Sequence, residues 1–175
     1  MRAIQPIAEF DLAFSLFCLR HRFNREVASI SKVISRTGDG HLYIVLGVLI
    51  WWLDHQDQGQ FFRMGLLAFA IHLPIYWLAK NSFRRRRPKE LSDLLTCFIT
   101  PSDRYSLPSG HTAAAFLIAT LIGHFYPEFY LLALCWAALI GLSRILLGVH
   151  FMTDVLIGAL LGIACAHSAM LIMAV

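Results

Sequence analysis

Five apolar stretches separated by polar ones dominate the chain: Leu42–Leu53, Phe61–Ala79, Thr112–Tyr126, Phe129–Val149 and Val155–Val175. A helix needs about 20 apolar residues to span a bilayer, within a range of about 17–25. The last two stretches reach that length unaided, and the first and third must borrow flanking residues. Arg63 stands near the start of the second, where a long side chain can snorkel to the interface. Pro74 is placed to kink that helix. Residues 7–19 (IAEFDLAFSLFCL) form a shorter sixth stretch, broken by Glu9 and Asp11. Behind it, Val27, Ile30 and Ile34 recur at helical spacing among Arg22, Arg25, Lys32 and Arg36, which predicts an amphipathic helix lying in the interface. The N-terminal region, residues 1–40, is read as interfacial rather than as a full span.

The connections differ in character. Asp54–Gln60 (DHQDQGQ) is a short polar turn, and His124–Glu128 is another, with Pro127 placed to start the next helix. Residues 81–110 form a far longer polar connection, rich in Ser, Pro and Arg; long ordered loops are uncommon unless functional. Gly158 and Gly162 form a GxxxG that permits close helix packing. If the helices cross alternately, loop 81–110 lies on the same side as residues 20–40 and as the start of the last helix near His150 and Asp154.

Composition sharpens this picture. The 175 residues are 58% hydrophobic and 15% charged, where soluble domains carry roughly 25% charged residues. The expected fold is an all-α integral membrane protein, a single domain over residues 1–175 with five to six transmembrane helices. The net charge of +4 comes from local clusters, and in a membrane setting it implies no nucleic-acid partner. Cys18, Cys97, Cys135 and Cys165 show neither CxxC nor metal-ligand spacing; Cys135 and Cys165 lie in apolar runs as small hydrophobes. Glu9 and Asp11 interrupt the apolar part of the N-terminus and no small-residue cleavage site follows, so it does not read as a signal peptide.

Three clusters carry chemistry. The third apolar stretch is preceded by Leu107-Pro108-Ser109-Gly110-His111-Thr112. Ser109 and Gly110 suit a helix start, whose unpaired N–H groups make an anion site. Alone, that is an ordinary capped helix; His111 beside it adds a group that can give or take a proton. In Ser143-Arg144-Ile145-Leu146-Leu147-Gly148-Val149-His150-Phe151-Met152-Thr153-Asp154, three ionisable residues interrupt apolar sequence, and such residues are costly in a membrane. Asp154 is four residues beyond His150, on one face if a helix begins there, and can accept a hydrogen bond from one ring nitrogen, leaving the other as a nucleophile. A buried structural pair and a metal pair are the alternatives, the latter lacking a third ligand with suitable spacing. The third cluster is Lys80-Asn81-Ser82-Phe83-Arg84-Arg85-Arg86-Arg87-Pro88. Lys80 and Arg87 would share a helical face, except that Pro88 disfavours helix at Arg87; a helix end followed by a returning loop also brings two cations to one anion.

Read in order, these clusters are K-x6-RP, PSGH and SR-x5-H-x3-D. Residues 80–154 thereby resemble the type 2 phosphatidic acid phosphatase (PAP2) superfamily, which includes vanadium haloperoxidases and bacterial acid phosphatases. The resemblance implies a PAP2/haloperoxidase-like helical bundle. It implies that Lys80, Arg87 and Arg144 hold phosphoryl oxygens, with Ser109 and the Gly110 N–H adding hydrogen bonds. It further implies that His150 attacks phosphorus to form a phosphohistidine, that Asp154 orients His150, and that His111 protonates the leaving oxygen and then activates water. Three cations can neutralise the equatorial oxygens, so no metal and no cofactor is expected.

The substrate expected from this resemblance is a lipid phosphate or pyrophosphate of the phosphatidic acid, phosphatidylglycerophosphate or undecaprenyl pyrophosphate class, in the inner membrane of a bacterium. A lipid phosphotransferase and a non-catalytic lipid-phosphate carrier are the alternatives. Arg84, Arg85 and Arg86 are read as headgroup contacts or orientation anchors, and Asp39, in the turn Arg36–Gly40, as a contact to an active-site cation. His21, His41, His55, His72, His124 and His167 match no motif and are assigned interface or packing roles, with a lesser role for His72 and His167 in a polar passage. The N-terminal basic residues favour a cytoplasmic active-site face under the positive-inside rule, whereas membrane relatives mostly face outward; the side of the membrane and the oligomeric state are both left open.

Overall fold

The computed structural model describes residues 5–20, 24–53, 59–92, 94–101 and 103–173. His21, Arg22 and His55, with most of the Asp54–Gln60 turn, lie outside them. The order of helices is α1 (Gln5–Leu19), α2 (Asn24–Arg36), α3 (Gly40–Leu53), α4 (Gln60–Phe83), the short α5 (Pro88–Leu91), α6 (Gly110–Phe125), α7 (Tyr130–Leu146) and α8 (Met152–Met173), with a 3-10 turn at Pro127–Phe129 ahead of α7. The five apolar stretches thus become α3, α4, α6, α7 and α8, and α4 continues through Pro74. Among the described residues, Gln60–Leu91, Pro127–Leu146 and Met152–Met173 are long and apolar enough to cross a membrane, and α2 with α3, bent by 45° at their break, makes a fourth if the pair is one span. The apolar α6 has 16 residues.

The bundle is held by small residues. Helix α6 buries Ala113, Ala114, Ala115 and Ala119, which lets α7 and α8 come close on either side. The GxxxG of α8 faces α6: a Cβ on Gly162 would meet the Ala113 carbonyl oxygen at 2.1 Å, and one on Gly158 the Ser109 carbonyl oxygen at 2.6 Å. That motif therefore sets the distance from α8 to the start of α6.

The two N-terminal helices turn polar or small residues inward. Helix α1 buries Asp11, Ser15 and Leu19 at a spacing of four, while Ile7, Phe10 and Phe17 are exposed. Its 15 residues fall short of a span. Helix α2 buries Ala28, Ser31 and Ser35 against α7; Ile30 and Val33 point outward. The outward apolar side chains of α1, α2, α4, α7 and α8 are what a lipid environment accommodates.

Candidate active site

The long connection between α4 and α6 folds back over the bundle end. Helix α4 stops at Arg84, which takes a left-handed conformation (φ 48°) while its N–H bonds the Lys80 carbonyl. Ser106 then ties the loop to that segment: its N–H donates to the Arg85 carbonyl at 2.9 Å and its hydroxyl to the Arg86 carbonyl at 3.1 Å. Further on, the Phe98 N–H donates to the Leu147 carbonyl at 3.0 Å. Gly148 is required there, since its φ is +71° and a Cβ would lie 2.2 Å from the Thr96 carbonyl oxygen.

This folding brings the three clusters together. The Ser109 N–H donates to the Asp154 carbonyl at 3.0 Å, joining PSGH to the start of α8. An Arg87 Nη1 donates to the Val149 carbonyl, adjacent to His150, at 2.6 Å. Lys80 Nζ reaches the Pro108 carbonyl at 3.5 Å. Lys80, Arg87, Arg144, Ser109, His150 and Asp154 are all buried, each at most 6% exposed. Gly110 opens α6 with Tyr76 packed against it: a Cβ there would sit 3.1 Å from the ring. The Ser109 hydroxyl pairs with that of Thr112 at 2.8 Å.

Lys80 and Arg87 meet on a single carboxylate, that of Asp103. Both form ion pairs with it, and Tyr76 donates its hydroxyl to it at 2.5 Å. Burial alone would raise the Asp103 carboxyl, yet hydrogen bonds from Lys80 and Tyr76 and the charges of Lys80 and Arg87 hold it below the usual carboxylate range. The helix at Lys80 and the returning loop at Arg87, rather than one helical face, bring these cations together. Arg144 is buried in the last turn of α7, where an Nη1 donates to the Ser35 hydroxyl of α2 at 2.7 Å; its Nε has no partner among the described residues.

The His–Asp pair differs from the sequence expectation. Helix α8 begins at Met152, so His150 precedes it and the i,i+4 face does not apply. His150 Nδ1 lies 3.7 Å from Asp154 Oδ2, too far for a hydrogen bond, and has no other partner among the described residues. Asp154 is instead fixed as an acidic cap: its Oδ2 accepts the Phe151 N–H at 2.8 Å. Burial above all lowers the pKa of His150 to about 4, with Arg144 and Arg87 pushing the same way against the pull of Asp154. His111 is more open, and its Nε2 lies 3.0 Å from Asp39 Oδ1; the turn acid expected near a cation thus bonds His111, and its charge also reaches Arg144.

Arg85 also departs from expectation. Only Arg84 and Arg86 are exposed. Arg85 turns inward, donating through Nη1 to Asp154 Oδ1 at 2.8 Å and through Nη2 to Asp11 Oδ2 at 2.5 Å. Reading the sequence alone missed Asp103, Tyr76, Asp11 and this role of Arg85. Tyr76 had one available signal, its position one turn before Lys80. Of the unassigned histidines, His72 is buried with neither ring nitrogen hydrogen-bonded among the described residues, and His167 is exposed.

The PAP2 superfamily model matches residues 62–175. The chain belongs to the PAP2 superfamily. It is 26% identical over 158 residues to the Bacillus licheniformis "Bacitracin transport permease protein BcrC", an alignment covering 89% of this chain and 78% of that one. It is 39% identical over 70 residues to "Phosphatidylglycerophosphatase B" of Bacillus subtilis, covering 34% of each. Two solved structures share the fold. The crystal structure of Aquifex aeolicus LpxE superposes with a TM-score of 0.78 at 26% identity, over 91% of this chain and 93% of that one. The first transmembrane PAP2 type phosphatidylglycerolphosphate phosphatase from B. subtilis superposes with a TM-score of 0.76 at 25% identity, over 97% and 88%. Together with the apolar helices, these place the chain among the integral membrane phosphatases of that superfamily.

Proposed function

We propose that the chain hydrolyses a lipid phosphate or lipid pyrophosphate in the inner membrane of a bacterium, without a metal, through a phosphohistidine at His150. One observation carries this reading: Lys80 and Arg87 grip one anion, the Asp103 carboxylate, beside His150. A phosphoryl group offers the same kind of oxygen to the same two cations, and Arg144 adds a third charge. Family names that include a phosphatidylglycerophosphatase and a lipid phosphate phosphatase support the substrate class. The lipid would keep its tails among the exposed apolar side chains of the bundle while its headgroup enters at the polar end.

In this reading Ser109 and the Gly110 N–H hold the phosphoryl oxygens together with the three cations. The ring nitrogen of His150 turned away from Asp154 attacks phosphorus, and the bond to the lipid oxygen breaks. The 3.7 Å gap between His150 Nδ1 and Asp154 closes to a hydrogen bond as positive charge develops on the ring; such contacts often tighten only in the reacting complex. His111 donates its Nε2–H to Asp39, because a carboxylate can only accept, so Nδ1 carries the proton that passes to the leaving oxygen. Nδ1 then takes a proton from water, the hydroxide attacks the phosphohistidine, and phosphate and free His150 result.

The test offers purified protein a panel of phosphatidic acid, phosphatidylglycerophosphate and undecaprenyl pyrophosphate, with chelator present, and measures free phosphate. Release that survives chelator and vanishes in His150→Ala is expected. No release from any lipid, or loss of release with chelator, refutes metal-independent hydrolysis. Transfer of phosphate to an added acceptor lipid would establish a phosphotransferase instead.

A further inference from the structure

We propose that α1 is part of the catalytic apparatus: Asp11 and Arg85 are positioning residues that hold Asp154, and through it His150, in place. The inference rests on the reading of His150 as nucleophile and adds Asp11, outside the three motifs, and Arg85, an unspecified position within K-x6-RP.

Asp11 and Asp154 are both fully buried carboxylates, 0% exposed, and one guanidinium serves both. Arg85 is suited to this because its two terminal nitrogens diverge; a lysine offers one point charge and cannot span the pair. Thr153 completes the junction. Its hydroxyl accepts from Arg85 Nη1 at 2.6 Å and donates to Asp11, and its N–H donates to Asp11 Oδ1 at 3.1 Å. Asp11 therefore caps the first turn of α8 from another helix, which satisfies an N–H that α8 itself leaves unpaired. The Arg85 guanidinium also lies over the Phe151 ring, 4.4 Å from its centroid. Every polar atom that this junction uses has its partner, which makes it stiff.

The geometry of Asp154 follows. Its two oxygens are held from opposite sides, Oδ1 by Arg85 and Oδ2 by the Phe151 N–H. Arg85 on Oδ1 and the Phe151 N–H on Oδ2 together keep Oδ2 toward His150 Nδ1. If Arg85 were a headgroup anchor, as its place in the arginine run suggests, it would face outward like Arg84 and Arg86. It does not: the two buried carboxylates of Asp11 and Asp154 hold it inward.

The experiment measures kcat and KM for the panel lipid that the wild-type chain hydrolyses, in detergent, for Asp11→Asn, Arg85→Gln and the double variant. Lys89→Ala, at an exposed position with no assigned role, serves as the control. Each single variant is expected to lose roughly 10- to 100-fold in kcat, the range of a lost charged hydrogen bond, with KM within about twofold. The double variant should be no worse than Arg85→Gln, because both act through one link. Free guanidinium should restore several-fold of the activity of Arg85→Ala and leave Lys89→Ala unchanged. Should Arg85→Ala not fold, the near-isosteric Asp11→Asn decides by its kcat and KM alone. Unchanged kcat, a raised KM with intact kcat, or fully additive losses would overturn the proposal while the phosphatase reading stands. A wild-type chain that releases no phosphate from any panel lipid refutes that reading and this proposal with it.

Discussion

Replacing Gly162 or Gly158 by alanine sets two effects of opposite sign against each other. Alanine in a helix interior is favoured over glycine by about 1 kcal/mol. Against this, a Cβ on Gly162 would lie 2.1 Å from the Ala113 carbonyl oxygen, where ordinary contact begins at 3.4 Å, so α6 and α8 must part by ~1.3 Å. The obstacle is backbone, which cannot rotate aside. Overpacking of this kind costs about 1–3 kcal/mol, sometimes more, and a backbone clash on a tightly apposed helix pair belongs at the upper end. Gly162→Ala should therefore destabilise by about 2 kcal/mol net, seen as a lower unfolding temperature in detergent. Gly158→Ala meets Ser109 itself, at 2.6 Å from its carbonyl oxygen and 3.4 Å from its nitrogen. That nitrogen donates to the Asp154 carbonyl, so this variant should lose phosphate release in greater proportion than stability. The readouts are thermal unfolding and kcat on the same preparations. A Gly162→Ala chain that is more stable than wild type would mean helix propensity wins and the close approach of α6 and α8 is not real.

The remaining predictions concern charge. With its pKa lowered to about 4, His150 stays neutral in mildly acidic solution, so the acid limb of kcat/KM assigned to the nucleophile should fall well below pH 6.5; a limb at 6.5 counts against it. The same shift makes the unfolded chain bind the proton more readily between pH 6.5 and about 4, so the stability contributed by neutral His150 should decline as pH falls through that window, as read from unfolding temperature against pH. Arg87→Ala should cost at least ~100-fold in kcat and also lower the unfolding temperature, because the buried carbonyl of Val149 and the half-buried one of Tyr105 lose their donor. Asp103→Asn should lower the inhibition constant of inorganic phosphate, since the carboxylate now held by Lys80 and Arg87 competes for the same site; weaker phosphate binding would mean that Asp103 shapes the cradle rather than occupying it.

Much of this architecture was legible in advance because lipid imposes so few solutions. Apolar runs near 20 residues must be helices, and alternate crossing then puts loop 81–110, residues 20–40 and His150 at one end, as the Arg144–Ser35 and His111–Asp39 contacts show. What stayed hidden depends on tertiary approach. In sequence, Asp11 only weakens a short apolar stretch; its partners stand 74 and 142 residues away. Asp103 is one polar residue in a polar loop until Lys80 and Arg87 close on it. The His150–Asp154 spacing suggested one helical face, but α8 starts between them, at Met152.

The arginine run is best understood through the conformation of the chain that carries it. Were residues 80–87 helical, Arg84 and Arg87 would point together. The left-handed Arg84 ends α4, and Arg87 is extended with φ −80° and ψ 160°. In extended chain successive side chains point to opposite sides. Arg84, at the left-handed helix end, and Arg86 face out, while Arg85 and Arg87 face in and take different partners: Arg85 the carboxylates of Asp11 and Asp154, Arg87 that of Asp103 and the Val149 carbonyl. Four identical residues thus divide into two on the polar surface and two inward ligands, Arg87 buried and Arg85 half-buried. Arg85 and Arg87 are bound to different acids, so their substitutions should fail in different ways: Arg87 through the anion cradle, Arg85 through Asp154.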